Sequence, residues 1–343
     1  EFYLCLTKRY FDLSNSTTLR PIIALFLLSP MIAELLSGSS PPLEFFNPIV
    51  FLLLASLYGS GAIIVRELTK RWRKGWPSIL LLGAAYGILE EGLMVKSFFD
   101  PNWIDLGILG TYGRWLGVNW VWAEWLTIYH SIFSITMPIL IVDLIYPSYK
   151  EKNWIGNRAL VGFFILLSSV VLFGHIFLTP YPLSFEQVFD SMIIIALLVY
   201  IARRFPVLKA ENRINASAWL FWLIGFFMAL TFFITFGALP YIISFPLFTM
   251  IIGTLVIMGF AILITKLSRR GINEMQSYGL ASGALSLLIA LAPIQEMDKS
   301  RIDNSAGMTL MGMAFLLFLI LIGIKVRSRA IKNLNKFLAN KPF

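Results

Sequence analysis

Charge is what this chain lacks most: Asp, Glu, Lys and Arg make up 14% of its 343 residues, where soluble domains carry about a quarter. That scarcity excludes a soluble fold. The single cysteine, Cys5, excludes an intrachain disulfide and a zinc site built on cysteines. Histidine occurs only at His130 and His175. Long polar stretches are missing too. No segment between apolar runs exceeds about 20 residues, so no extramembrane domain is expected. Residues 1–18 lack the apolar core of a signal peptide, and insertion is expected to rest on the first spans.

What is present is apolar: 58% of residues are hydrophobic and mean hydropathy is +0.77. Lipid is therefore the expected solvent. Runs of roughly 20 apolar residues predict an all-α, polytopic membrane helix bundle forming one integral domain across residues 1–343. Its ten spans are 21–37, 47–66, 77–99, 118–146, 159–179, 186–202, 216–238, 243–265, 276–294 and 307–325. The ninth is the weakest, because Gly279, Ser282, Gly283 and Ser286 dilute it.

Orientation follows from Lys and Arg, which stay cytoplasmic in short loops. One side collects Lys8, Arg9 and Arg20, the group from Arg66 to Lys74, Lys150, Lys152 and Arg158. It also takes Arg203, Arg204, Lys209, Arg213, Lys266, Arg269, Arg270 and the tail to Lys341. Both termini are thus expected inside, and the compact loops suggest a prokaryotic plasma membrane. The net charge of +9 is read as positive-inside loops over anionic lipid. Nucleic acid is not an expected partner; membrane lipid is.

Ionisable residues within the spans are unevenly distributed. Glu34, Glu90, Glu91, Lys96, Glu124, His130, Asp143 and His175 all fall in spans one to five. Residues 77–179 therefore form a polar-cluster region, and 186–325 an apolar one. No counterpart of Glu90-Glu91 occurs in the second half, which argues against an inverted repeat. Intramembrane acids are functional candidates by default, and Glu90-Glu91 are adjacent in one apolar run. Helix rise places them ~10–14 Å below the outer surface, with His130 at ~18 Å and His175 at ~6–10 Å. Gly83, Gly87 and Glu91 share one stripe of helix three, where small residues admit a close neighbour.

A set of Glu90, His130 and His175 would suffice for a catalytic zinc with water as fourth ligand, Glu91 then serving as general base. The same groups could activate water without metal. Alternatively, both acids form a structural polar knot, each histidine a hydrogen bond between helices.

The order Glu90-Glu91, His130 and then His175 within Val171–Thr179, with separations of about 40 and 45 residues, resembles the CPBP family of intramembrane proteases, which includes the CAAX prenyl endopeptidases. That resemblance implies that Glu90 activates water with His130, that Glu91 orients it, and that His175 with Thr179 stabilises the oxyanion.

Between spans three and four, residues 100–125 hold Trp103, Trp115, Trp120, Trp122 and Trp125 with Tyr112, Arg114 and Asn119. They read as an aromatic belt, or as a lid in which Arg114, Trp115, Asn119 and Glu124 meet a lipid or membrane-embedded peptide substrate. Three functions are consistent with these features: an intramembrane hydrolase, a transporter or lipid-handling protein coupled through the acids, and a non-catalytic subunit of a membrane complex.

Overall fold

The computed structural model describes residues 16–208 and 216–339. Readings that rest on residues 1–15, Cys5 among them, or on Lys209, Arg213 and Lys341 lie outside the described residues. Among the described residues, ten helices are long and apolar enough to span a membrane: α1 Thr18–Leu36, α2 Pro48–Arg71, α3 Trp76–Met94, α4 Trp120–Ile145, α5 Asn157–Phe177, α6 Phe185–Arg204, α7 Ala218–Ile242, α8 Pro246–Leu267, α9 Glu274–Met297 and α10 Met308–Asn333. The only strands among the described residues, β1 Arg114–Trp115 and β2 Val118–Asn119, pair antiparallel in the loop before α4. The fold is an all-α membrane bundle.

Helices α1 to α4 form the centre, with α3 and α4 the most buried. Helices α5 and α6 flank α2 and α3, while α7, α9 and α10 pack on the other side. Most of the surface of α5, α6 and α8 is exposed, as a lipid-facing helix requires.

Five helices contain a π-helical segment: Met31–Leu36, Ala55–Gly59, Ile88–Met94, His130–Thr136 and Ile234–Ala238. Proline explains those in α4 and α7, where it cannot donate to the carbonyl four residues back, that of Ser134 or Phe236. Pro30 immediately precedes the segment in α1, and Pro138 and Pro240 closely follow those in α4 and α7. In α4 the carbonyl freed by Pro138 is that of Ser134. It accepts the Ser29 hydroxyl of α1 at 2.6 Å. The carbonyl of Ala33, within the α1 segment, takes the Tyr129 hydroxyl at 2.9 Å. Irregular backbone is thus tied across the central helices.

Two helix contacts are set by absent side chains. A Cβ on Gly283 would lie 2.0 Å from the Trp222 carbonyl oxygen, and one on Gly225 would lie 2.1 Å from that of Leu280. Helices α7 and α9 therefore meet backbone to backbone, so the small residues that lower hydropathy in the ninth span form a packing seam. Likewise a Cβ on Gly83 would lie 2.9 Å from Ser131 Cα, and one on Gly87 would lie 3.0 Å from His130 Cβ. That contact draws α4 against α3 just below the acid pair.

Three helix ends lie five or more residues from expectation, that of α2 running on past 66 to Arg71. Helix α3 stops at Met94 because Lys96 adopts a positive φ of 64°, which ends a right-handed helix. Lys96 then donates to the carbonyls of His175, Thr179 and Tyr181 at 2.7, 2.8 and 3.1 Å. It closes the C-terminal end of α5, where a cation meets the helix dipole. The last helix runs past residue 325 to Ala339.

At the opposite end of the bundle, Arg66 is fully buried. It pairs with Glu67 at 2.8 Å, donates to the carbonyls of Tyr149, Lys150 and Lys152, and stacks 3.3 Å from the Trp154 ring centre. Asp143 lies 3.8 Å from the Arg66 guanidinium. Arg66 fastens the loop between α4 and α5 to α2.

Two substitutions test these contacts by thermal unfolding in detergent. Gly283→Leu should destabilise by at least the ~1–3 kcal/mol typical of overpacking, because backbone occupies the space. Arg66→Ala should cost about 3–5 kcal/mol by breaking its buried pair with Glu67, which keeps Arg71 and the Trp154 N–H, and leaving Asp143 without its neighbouring guanidinium. Unchanged melting in either variant would contradict the packing described.

Candidate functional site

Four of the five π-helical segments converge on one polar cluster. Glu34 comes from the segment in α1, Tyr58 from α2, Glu90 and Glu91 from α3, and His130 with Ser134 from α4. Segments of this kind are frequent at functional sites. Here they bring residues far apart in sequence onto a common centre.

His130 sits between the two acids of α3. Its Nε2 lies 2.9 Å from Glu91 Oε1, and its Nδ1 lies 2.9 Å from Ser134 Oγ and 3.3 Å from Glu90 Oε2. Adjacent residues on a helix diverge by about 100°, and the imidazole between them meets one carboxylate through each nitrogen. The second oxygen of Glu91 accepts the Ser97 hydroxyl, and Ser97 Oγ accepts the Trp122 indole N–H at 3.0 Å. Both oxygens of Glu91 are therefore engaged.

Glu90 is held differently. Its Oε1 meets the Tyr58 hydroxyl, which also meets Glu34 Oε1, while Ser40 donates to Glu34 Oε2 at 2.9 Å. One phenol proton cannot serve both carboxylates, so a second proton or a cation must complete the set. Glu90 Oε2 and the Tyr86 hydroxyl are buried without a hydrogen bond. The Tyr86 ring packs against Tyr58 and His130, with ring centres 6.0 and 6.2 Å away.

The cluster is buried but not sealed. His130 is 3% exposed and Glu90 4%, whereas the Glu91 side chain reaches 11% and Glu34 is only partly buried. Glu34 and Glu91 are thus its least buried members. Glu90, Glu91 and His130 each offer an atom within 4.8 Å of the others, as a metal site needs.

The other residues expected at the site lie apart. His175 Nδ1 donates to the Leu93 carbonyl at 2.7 Å, and the Thr179 hydroxyl donates to that of Val95 at 2.9 Å. Both clasp the end of α3, answering the hold of Lys96 on α5. Glu91 therefore replaces His175 in the set that the structure brings together. Arg114 donates to the carbonyls of Phe99 and Gly110. Asn119, fully buried, accepts the Trp122 N–H at the start of α4 and donates to the Leu109 carbonyl. Trp115 is exposed. Glu124 accepts the Thr254 hydroxyl of α8 at 2.9 Å, away from the cluster.

Tyr58, Ser97, Ser134 and the specific contact of Trp122 were not singled out by sequence. Their residue types are common in spans, and only partners distant in sequence distinguish them.

An apolar cavity of about 320 Å³ lies among α3, α4, α7, α8 and α9, lined by Leu80, Ala84, Ile128, Ser131, Phe232 and Leu280. Ser131 directly follows His130 on α4, so cavity and cluster border the same helix.

No solved structure matches the chain. An uncharacterized protein of Archaeoglobus fulgidus is 29% identical over 133 residues, covering 38% of this chain and 39% of that protein. The match therefore spans well under half of this relative. The resemblance to the CPBP proteases is overturned by the family match. It also lacks physical support, since Val95 and Leu126 stand where that pattern has arginine and phenylalanine, and His175 bonds to the α3 backbone. The match over residues 23–338 is instead to the uncharacterized membrane protein family, and the chain belongs to that family.

Proposed function

We propose that the protein is a membrane-embedded hydrolase in which Glu90 activates water beside His130. The observation that carries this reading is the His130 imidazole between two carboxylates, only one of which has an oxygen without a hydrogen bond. Glu91 spends both oxygens, on His130 and Ser97, and so positions the imidazole. Glu90 Oε2 makes no hydrogen bond and lies 3.3 Å from His130 Nδ1, and is the base.

In the reaction, Glu90 takes a proton from water as the water oxygen bonds to a substrate carbonyl carbon. Collapse of the tetrahedral intermediate breaks the carbon–oxygen or carbon–nitrogen bond, and the proton passes to the leaving group. His130 shares charge with Glu90 through the step. The cavity beside α4 supports a substrate with an apolar chain, a lipid ester or a membrane-embedded peptide. The distribution of Lys and Arg supports cytoplasmic termini and an outward-facing cluster, and the archaeal relative is consistent with a prokaryotic plasma membrane.

A second reading is a proton-coupled transporter that uses the same acids. Polar contacts run without interruption from Ser40 through Glu34, Tyr58, Glu90, His130, Glu91 and Ser97 to Trp122, both ends of the run lying at the end of the bundle where α1 and α3 finish and α4 begins.

The test uses the full chain in lipid nanodiscs with fluorogenic lipid esters and membrane-embedded peptides. Turnover should fall about 10²–10⁴-fold in Glu90→Gln with the melting temperature retained. No turnover, together with a proton flux in liposomes that Glu90→Gln abolishes, would overturn the hydrolase in favour of the transporter.

A further inference from the structure

The charges at the cluster do not balance. Glu34, Glu90 and Glu91 surround one imidazole, while the nearby cations are committed elsewhere. Lys96 donates to three carbonyls and Arg114 to carbonyls of the loop. Even with His130 protonated, three ionised carboxylates would leave two negative charges uncompensated away from bulk water, which is costly.

We infer that Glu90, Glu91 and His130 bind a divalent metal ion, with Glu34 and Tyr58 as outer partners. This deepens the hydrolase reading, and rests on it only for the use made of the ion: with an ion bound, Glu90 would be a ligand and the ion would supply the activation of water assigned above to Glu90 as base.

Geometry supports the set in four ways. First, the three ligand atoms lie within 4.8 Å of one another. Bonds of about 2.0–2.2 Å to one ion bring ligand atoms to about 3–4 Å apart, close to that spacing. Second, Ser134 Oγ lies 2.9 Å from His130 Nδ1 and, as acceptor, would leave Nε2 to an ion in the usual outer-shell arrangement of metal-bound histidine. Third, Ser97 fixes the far oxygen of Glu91. Fourth, Glu90 Oε2, a member of the set, is buried without a hydrogen bond, with His130 Nδ1 3.3 Å away.

One imidazole and two carboxylates form a nitrogen–oxygen set suited to zinc or manganese and unsuited to copper(I), which prefers sulfur. Three protein ligands leave a coordination position for water, the pattern of catalytic rather than structural zinc. The set differs from the one expected from sequence by exchanging His175 for Glu91.

The experiment is metal stoichiometry on the full-length protein in mild detergent, stripped with a chelator and equilibrated with Zn²⁺. The expected result is one zinc per chain. His130→Ala and the isosteric Glu91→Gln should lose stoichiometric binding, and Ser134→Ala should weaken it about 10–100-fold. His175→Ala should retain it. If His130→Ala fails to fold, Glu91→Gln and Ser134→Ala carry the test. Absence of stoichiometric zinc from folded, monodisperse wild type overturns the inference, as does equal zinc in Glu91→Gln. Turnover that survives chelation in metal-free protein would remove the ion and keep the hydrolase. Bound zinc with no turnover would do the reverse.

Discussion

The cost of carrying ionisable groups into a lipid-solvated bundle shapes the centre of this molecule. Each buried charge needs a partner in a medium that supplies no water, and the central helices supply them by crossing α3 at the acid pair. Glu91 has His130 and Ser97, Glu90 has Tyr58 and His130, and Glu34 has Tyr58 and Ser40. The glycine contact between α3 and α4 serves the same end. A side chain at Gly87 would meet His130 Cβ and push the imidazole from the carboxylates.

The irregular turns follow from that demand. A regular α-helix offers its side chains at fixed angles and all its carbonyls to itself. Proline in α4 breaks that economy, and hydroxyls of Ser29 and Tyr129 take backbone carbonyls within the irregular segments of α4 and α1. The loosened turns carry Glu34 and His130. Sequence-local chemistry, proline against its own helix, thereby places residues whose partners lie on other helices.

Much of the architecture was legible in the sequence, because lipid imposes a simple rule on hydropathy. Ten spans, the isolation of charge in the first half and the Gly83–Gly87 stripe all follow from counting apolar and small residues. Glu90, Glu91 and His130 were legible by rarity, since charge in an apolar run is conspicuous. Rarity misled at His175, which is equally conspicuous but faces the α3 backbone. Side-chain direction depends on how α5 docks, and Lys96 in its left-handed conformation helps set that docking. Tyr58, Ser97 and Ser134 were silent for the opposite reason, being ordinary residues whose role lies wholly in their contacts.

Having two histidines allows a direct measurement. Selective ¹⁵N labelling of histidine gives two imidazoles, assigned through His130→Ala and His175→Ala. If His130 is held by Glu91 while His175 binds the end of α3, Glu91→Gln shifts the ring-nitrogen signals of His130 and leaves those of His175 in place. Signals that both stay fixed, or that move only for His175, would contradict the cluster on which this account of the protein rests.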